Sequence, residues 1–219
     1  ESSSEYYQII NETIKNKLGG FHSAKIIMYS IDFGELVDLL NKEKWNEIAR
    51  LMIDAAQRVE KGGADFVVIC SNTIHKVAEE IQNNVKIPLL HIVDLTAEEI
   101  KKQGLNKIGI LGTRFTMEED FYKGRLIDKY GFEVAIPGEE ERKIVDNVIF
   151  NELCLGERKE SSKKKFIEII EKLVNNGAEG IILGCTEIPT LIRQDDIKVH
   201  LFNTTRIHAE AAAEYAIKQ

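Results

Sequence analysis

The chain has 219 residues, 43% hydrophobic and 30% charged, enough to bury one sizeable core or two smaller ones. A net charge of −7 at pH 7 and a pI near 5.4, with no basic run interleaved with aromatics, exclude a phosphate-backbone footprint, so nucleic acid is not an expected partner. Three cysteines are too few for a disulfide framework and fit a reducing, cytoplasmic setting. No apolar run approaches the roughly 18 residues of a membrane helix, so no membrane partner is expected either.

Residues 2 to 17 form the first predicted helix: Ser2-x-x-Glu5 has the pattern of a capping box, and Ile9, Ile10, Ile14 and Leu18 keep near-helical spacing up to Gly19-Gly20. Ala24 to Ser30 is a short apolar run suited to a buried strand. Trp45, Ile48, Leu51, Met52, Ala55 and Val59 make a helix stripe that stops at Gly62-Gly63. A strand running into Cys70 and Ser71 comes next, then a helix from near Asn72 to Ile74, then a strand from Pro88 to Ile92. A helix at about 95 to 103 leads to a strand from Lys107 to Thr113 and a helix carrying Met117, Phe121 and Leu126. Phe132 to Ile136 is a further strand, and 141 to 154 a helix. Ser161 or Ser162 is expected to cap a helix that turns Phe166, Ile169, Ile170 and Leu173 inward and Lys163 to Lys165 toward solvent. A buried strand then ends in Cys185, just ahead of an expected helix, and a strand from Lys198 to Asn203 and a helix from about Thr205 to Ile217 close the chain. Strands alternating with helices predict an α/β fold with parallel sheets, right-handed crossovers and ligands at the carboxyl ends of the strands.

An internal repeat sharpens this reading. Gly63-Ala-Asp-Phe-Val-Val-Ile-Cys-Ser-Asn-Thr73 and Gly177-Ala-Glu-Gly-Ile-Ile-Leu-Gly-Cys-Thr-Glu187 align without a gap, 114 positions apart, which sets Ser71 opposite Cys185 and leaves Cys70 one place early. Val85 to Leu90 resembles Ile197 to Phe202, and Phe121-Tyr122 stands at nearly the offset of Tyr6-Tyr7. Two similar lobes are therefore expected, each a mainly parallel sheet flanked by helices, related by a pseudo-twofold with the site between them. The first lobe takes residues 1–94 plus the last helix at about 205–219, and the second takes 95–204. The second opens with the strand at 107 to 113, so a matching strand is expected ahead of Glu1.

Such a pairing brings Ser71 and Cys185 to one cleft from opposite sides. Moving a proton off one face of a carbon and returning one to the other requires two such flanking groups. A thiol serves as a base only when its pKa is lowered, which a helix N-terminus does, and that context is expected for Cys185. Asn72, Thr73 and Thr186 add amide, hydroxyl and backbone N–H groups suited to a carboxylate, and Thr113 ends its own strand in the same way. Glu187 is placed to orient Cys185 or to cap the next turn, and His75 to tune the cleft or to sit satisfied in a helix. Cys70 is expected to be a packing residue and Cys154 structural. Cys70-x4-His75 finds no second pair at a metal-ligand spacing, so no metal is expected.

Cys70-Ser-Asn-Thr-Ile-His75 and Gly184-Cys-Thr-Glu-Ile188 resemble the two signatures of the aspartate/glutamate racemases that work without pyridoxal phosphate, and Leu111 to Met117 is similar to a third block of that family. The resemblance runs from Glu1 to the last helix. It implies a homodimer of two-lobed subunits with no cofactor, an acidic amino acid as substrate, and Cys185 and Ser71 as the catalytic pair. Members generally carry a cysteine in each lobe. This chain looks like the branch with a hydroxyl in place of the first thiol, which tends to act on L-aspartate and L-glutamate. A decarboxylase or isomerase of small dicarboxylates on the same scaffold, or a binding protein that has lost one base, remain open alternatives.

Overall fold

The computed structural model describes residues 2–218. Helices α1 (Ser2–Leu18), α2 (Phe33–Asn41) and α3 (Trp45–Lys61) precede strand β1 (Val67–Val68), a 3-10 turn over Thr73–Val77, α4 (Ala78–Gln82) and β2 (Leu89–Leu90). After α5 (Ile92–Lys102) come β3 (Lys107–Gly112), α6 (Arg114–Glu118), α7 (Lys123–Tyr130), β4 (Glu133–Ala135), α8 (Glu139–Asn151), α9 (Glu160–Asn175), β5 (Gly180–Gly184), β6 (His200–Asn203) and α10 (Thr204–Ile217). Two separate parallel sheets result: β1 pairs with β2, and the larger has the order β4-β3-β5-β6. The repeat is visible in the pairing, because β1 lies beside β2 as β5 lies beside β6.

The larger sheet owes its order to continuous burial. Ile108, Ile110, Leu111, Ile181 and Ile182 are fully buried, packed between helices that turn Ile100, Leu126, Val145, Phe166 and Ile170 inward. A second cluster, built on Leu36, Leu40, Ile48, Ile69, Ile74 and Ile81, covers the smaller sheet. Helix α10 lays Ala209, Ala212 and Ala213 inward, and its small residues let α1 approach with Tyr6 and Ile9.

Several expectations are corrected. Residues 24–30 form neither strand nor helix, and Ile27, Met28 and Tyr29 stand 44%, 50% and 45% exposed. An apolar run becomes a strand only when a neighbour takes up its backbone groups, and among the described residues none pairs with it. Helix α2 was not foreseen; Asp32 caps it by accepting the Gly34 N–H at 2.8 Å, and Leu36 and Leu40 bury its inner face. Ser161 and Ser162 do not cap α9, which starts after Lys159; Ser162 is buried within it and donates to Glu152 at 2.6 Å. At the first helix, Glu5 lies in the first turn, and the cap position falls outside the described residues.

The smaller sheet is too short to hold itself by backbone pairing alone. Side chains staple it. Glu60 accepts the N–H groups of Lys86 and Ile87, and Gln82 accepts that of Leu89 at 2.7 Å. His75 accepts the N–H of Ile92 at 3.1 Å, and His208 of α10 donates to the carbonyl of Leu90 at 2.9 Å. Tyr6 donates its hydroxyl to the other nitrogen of His208 at 2.8 Å.

At the site end of the larger sheet, Gly112 of β3 faces Gly184 of β5 in register. A Cβ on Gly112 would fall 2.9 Å from the Gly184 carbonyl oxygen and 3.0 Å from Thr116 Cγ2, so the strands approach only because neither carries a side chain. Gly112→Ala is expected to lower stability by about 1–3 kcal/mol through this overpacking, read as a lower urea midpoint; an unchanged midpoint would show that the strand ends can separate freely.

The buried histidines generate a second expectation. Burial pushes His75 and His208 down to about 3, and burial together with Arg125 pushes His91 down to about 4. The unfolded rings take up protons below about pH 6.5, whereas the folded ones stay neutral until far lower pH, so their contribution is complete above that value and declines as pH falls. Each of the two fully buried rings can remove up to about 1.4 kcal/mol per pH unit in that window. Urea midpoints measured from pH 7.5 to 4.5 should fall throughout, and a flat profile between pH 7 and 5 would contradict the neutral assignment.

Candidate active site

The glycine pair delivers two chain segments to neighbouring points, Thr113 after β3 and Cys185 after β5. The turn after β1 supplies a third, in which the Ser71 N–H donates to the Ile69 carbonyl at 2.9 Å and reverses the chain tightly. Between them lies a cavity of about 340 Å³, lined by Ser71, Asn72, Thr73, Thr113, Cys185, Thr186 and Glu187 and walled by apolar residues of α2 and α3 such as Leu36, Leu40, Met52 and Ala55. Seven of the eight residues singled out from the sequence thus share one cavity. His75 does not line it.

Cys185 is 8% exposed, and its thiol donates to Glu187 Oε2 at 2.9 Å, while the Thr186 hydroxyl donates to the same oxygen at 2.6 Å. Burial first, and then the charge and hydrogen bond of Glu187, push the thiol well above its ordinary pKa. This reverses the expectation of a thiol activated by a helix. Directly after Cys185 the chain forms only a three-residue 3-10 turn, Ile188–Thr190, in which the Thr190 hydroxyl donates to the Glu187 carbonyl at 2.7 Å. Three residues carry too little dipole to offset a buried carboxylate neighbour.

The three cysteines are not joined by disulfides, and all of them line the cavity. Cys185 is therefore not the single thiol there, although Cys70 and Cys154 also pack against core clusters, as expected of them. Cys70 also packs against the Tyr6 and Ile9 cluster, and burial pushes it up to about 12. Cys154 comes from the turn after α8, a position without any motif in the sequence to mark it.

Asn72 is 3% exposed and ties the site together. Its Nδ2 donates to the Thr204 hydroxyl at 3.0 Å, which itself donates to the Leu183 carbonyl at 2.8 Å. Thr204 can only accept from Asn72, so the amide orientation is fixed and Oδ1 is left buried with no partner among the described residues. Thr73 and Thr113 share a hydrogen bond of 2.8 Å across the cleft, and Thr113 also caps α6 by accepting the Thr116 N–H at 3.4 Å. Ser71 is partly buried, its hydroxyl accepting the Ile74 N–H at 3.4 Å.

Beside these threonines the two cores interlock. Phe115 of α6 is buried in the cluster around the smaller sheet, edge-on to Trp45 at 5.1 Å, and the Lys76 ammonium lies 3.9 Å from the Trp45 ring centre while pairing with Glu119. Arg114 pairs with Glu43 at 2.8 Å and Lys163 with Asp196 at 2.5 Å, and neither lines the cavity. Neither cation is therefore placed to read a substrate carboxylate. Sequence reasoning missed Thr204, Trp45 and Phe115, whose partners are distant along the chain.

Removing the Glu187 charge should lower the Cys185 pKa. Glu187→Gln is expected to speed alkylation of Cys185 by iodoacetamide at pH 7.5 by about tenfold, the equivalent of one pKa unit, with the modified residue identified by mass spectrometry. No acceleration would mean that Glu187 does not govern the thiol.

Known proteins resemble this chain in sequence and fold. The Asp/Glu/Hydantoin racemase family model matches residues 1–212. The crystal structure of a Yersinia pestis protein assigned to the Asp/Glu racemases is similar over 99% of this chain and 94% of that one, with 49% identity and a TM-score of 0.92. An aspartate racemase homologue from Pyrococcus horikoshii is similar over 99% of this chain and 94% of its own, with 37% identity and a TM-score of 0.84. The broad specificity amino-acid racemase RacX of Bacillus subtilis is 25% identical over 166 residues, 76% of this chain and 71% of that protein. With a two-lobed α/β architecture and a family match along nearly its whole length, the chain belongs to the Asp/Glu/Hydantoin racemase family.

Proposed function

We propose that the cleft racemises an amino acid at Cα without a cofactor, using Cys185 and Ser71 as an unequal pair. The observation that carries this reading is the convergence of Cys185, Ser71 and Asn72 on one cavity. A substrate amino acid brings its ammonium into this cavity beside the buried thiol. The hydroxyls of Thr73, Thr113 and Thr186 then offer donors to the α-carboxylate. The incoming positive charge also opposes the effect of Glu187, so the thiol passes its proton to that carboxylate and the thiolate removes the α-proton of the L-amino acid. Ser71 returns a proton to the opposite face, its alkoxide is reprotonated from solvent, and Glu187 releases the thiol's proton to solvent, which restores the resting site. Deprotonation of a buried hydroxyl is much harder than that of a thiol, so the two directions are unequal.

The finer parts of the reading rest on family resemblance. Acidic substrates, L-aspartate or L-glutamate, are suggested by the names of relatives such as the glutamate racemase of Streptococcus uberis, 31% identical over 58% of this chain and 46% of that protein. A homodimer and a cytoplasmic setting are part of the same proposal, the latter supported by three cysteines without a disulfide. No helix among the described residues is long and apolar enough to cross a membrane. The lobes are assigned as 1–94 with 205–219, and 95–204, related by a pseudo-twofold.

The test is α-proton exchange in deuterated buffer with each enantiomer of aspartate and glutamate. Exchange from the L-form should exceed that from the D-form, Cys185→Ala should reduce both by about 10²–10⁴-fold, and Ser71→Cys should raise turnover of the D-form. Asn72→Ala should raise KM about tenfold or more by removing the bond to Thr204 that holds this wall of the cavity. Saturable binding of glutamate without any deuterium uptake would instead identify a binding protein.

A further inference from the structure

We propose that His75 is a positioning residue for the Ser71 half of the site: it fixes the peptide plane between Ser71 and Asn72 while locking the end of β1 to the end of β2. The proposal rests on the racemase reading above and adds a role for a side chain that lies outside the cavity. Both ring nitrogens are committed. The Ile92 N–H donates to Nε2 at 3.1 Å, so the neutral ring carries its hydrogen on Nδ1, which donates to the Ser71 carbonyl at 2.7 Å. His75 is 3% exposed, packed edge-on to His91 at 4.7 Å and to His208 at 5.7 Å, so it has no room to exchange protons with a substrate.

The Ser71 carbonyl and the Asn72 N–H belong to one planar trans peptide and point in opposite directions. Holding the carbonyl against the ring turns that N–H away from it, and no hydrogen bond among the described residues uses this donor. The same bond limits rotation about Ser71, whose hydroxyl has only a long contact, 3.4 Å, to the Ile74 N–H. The strands themselves cannot supply this rigidity, because β1 and β2 are two residues each. In the second lobe the corresponding residue, Cys185, stands at the end of a five-residue strand that is paired on both sides, so the backbone ladder does the bracing.

Two substitutions separate the two bonds. Asparagine at 75 keeps a donor near the Nδ1 position and loses the acceptor for Ile92; glutamine reaches the Ile92 N–H and loses the donor to Ser71. The readouts are solvent exchange with retention at the L-enantiomer, which needs Cys185 alone, and L-to-D inversion, which needs Ser71 as well. His75→Gln should lower inversion about 10- to 100-fold while retention exchange changes less than about threefold, and His75→Asn should preserve the wild-type ratio. A parallel loss of both readouts in His75→Gln, or identical ratios in the two variants, would overturn the role and reduce His75 to a structural staple. If wild-type protein shows neither exchange nor inversion, the racemase reading fails instead. Nitrogen-15 spectra of the unmodified protein give a check that needs no variant: hydrogen on Nδ1 of His75 is expected, and hydrogen on Nε2 would exclude the bond to Ser71.

Discussion

The approach of Gly112 to Gly184 is the constraint on which the site geometry depends. Two parallel strands normally carry side chains that hold the segments beyond them apart. Here both ends are bare, and the Thr116 methyl fills the remaining space at 3.0 Å from either ideal Cβ position. Thr113 and Cys185 therefore leave the sheet side by side, and Thr73 of the other lobe closes on Thr113. The burial of Phe115 beneath Trp45 results from the same placement, since α6 starts directly after Thr113. A packing fact at one pair of glycines thus sets the relation of the two lobes on this side of the cleft.

Electrostatics then decide the resting state. A buried thiol beside a carboxylate holds its proton, and the structure sets Glu187 against Cys185 with no helix dipole in compensation. Such a group is a poor base in an empty site, but as a thiolate it would be a strong one. Under the proposed mechanism a substrate ammonium in the cavity shifts the balance at the thiol. On this view the substrate completes the electrostatics of the cleft, and an idle enzyme carries no reactive thiolate open to oxidation or alkylation.

Most of the larger sheet was legible in the sequence because its strands are long, apolar and bounded by turn residues, as in Lys107 to Gly112. The site was legible for a different reason: the internal repeat marked Ser71 against Cys185, and six of their companions stand at strand ends or just beyond. Errors arose where a local pattern needed a distant partner. The apolar run at 24–30 reads as a strand, yet pairing decides strands, and no neighbour among the described residues supplies it. A helix was expected after Cys185, while the chain there forms only a three-residue 3-10 turn in which the Thr190 hydroxyl takes up the Glu187 carbonyl. The pKa of Cys185 could not be read from sequence at all, because Glu187 acts through orientation and burial. Thr204 and Phe115 were invisible for the same reason, their ties to Asn72 and Trp45 spanning more than 60 residues of chain.

The two walls of the cleft are unequal in construction. One is a four-stranded sheet whose central strands are paired on both sides and buried on both faces, so the position of Cys185 is set by the backbone itself. The other is a pair of two-residue strands whose ends are held by Glu60, Gln82, His75 and His208, so the position of Ser71 is set by side chains. Backbone ladders resist local opening cooperatively, whereas individual side-chain bonds open one at a time. The proposed mechanism requires more of the firm wall, where it removes a proton from carbon, than of the softer one, where a hydroxyl returns it. Placing the stronger base on the more rigid support matches the demand for orientation to the step with the higher barrier.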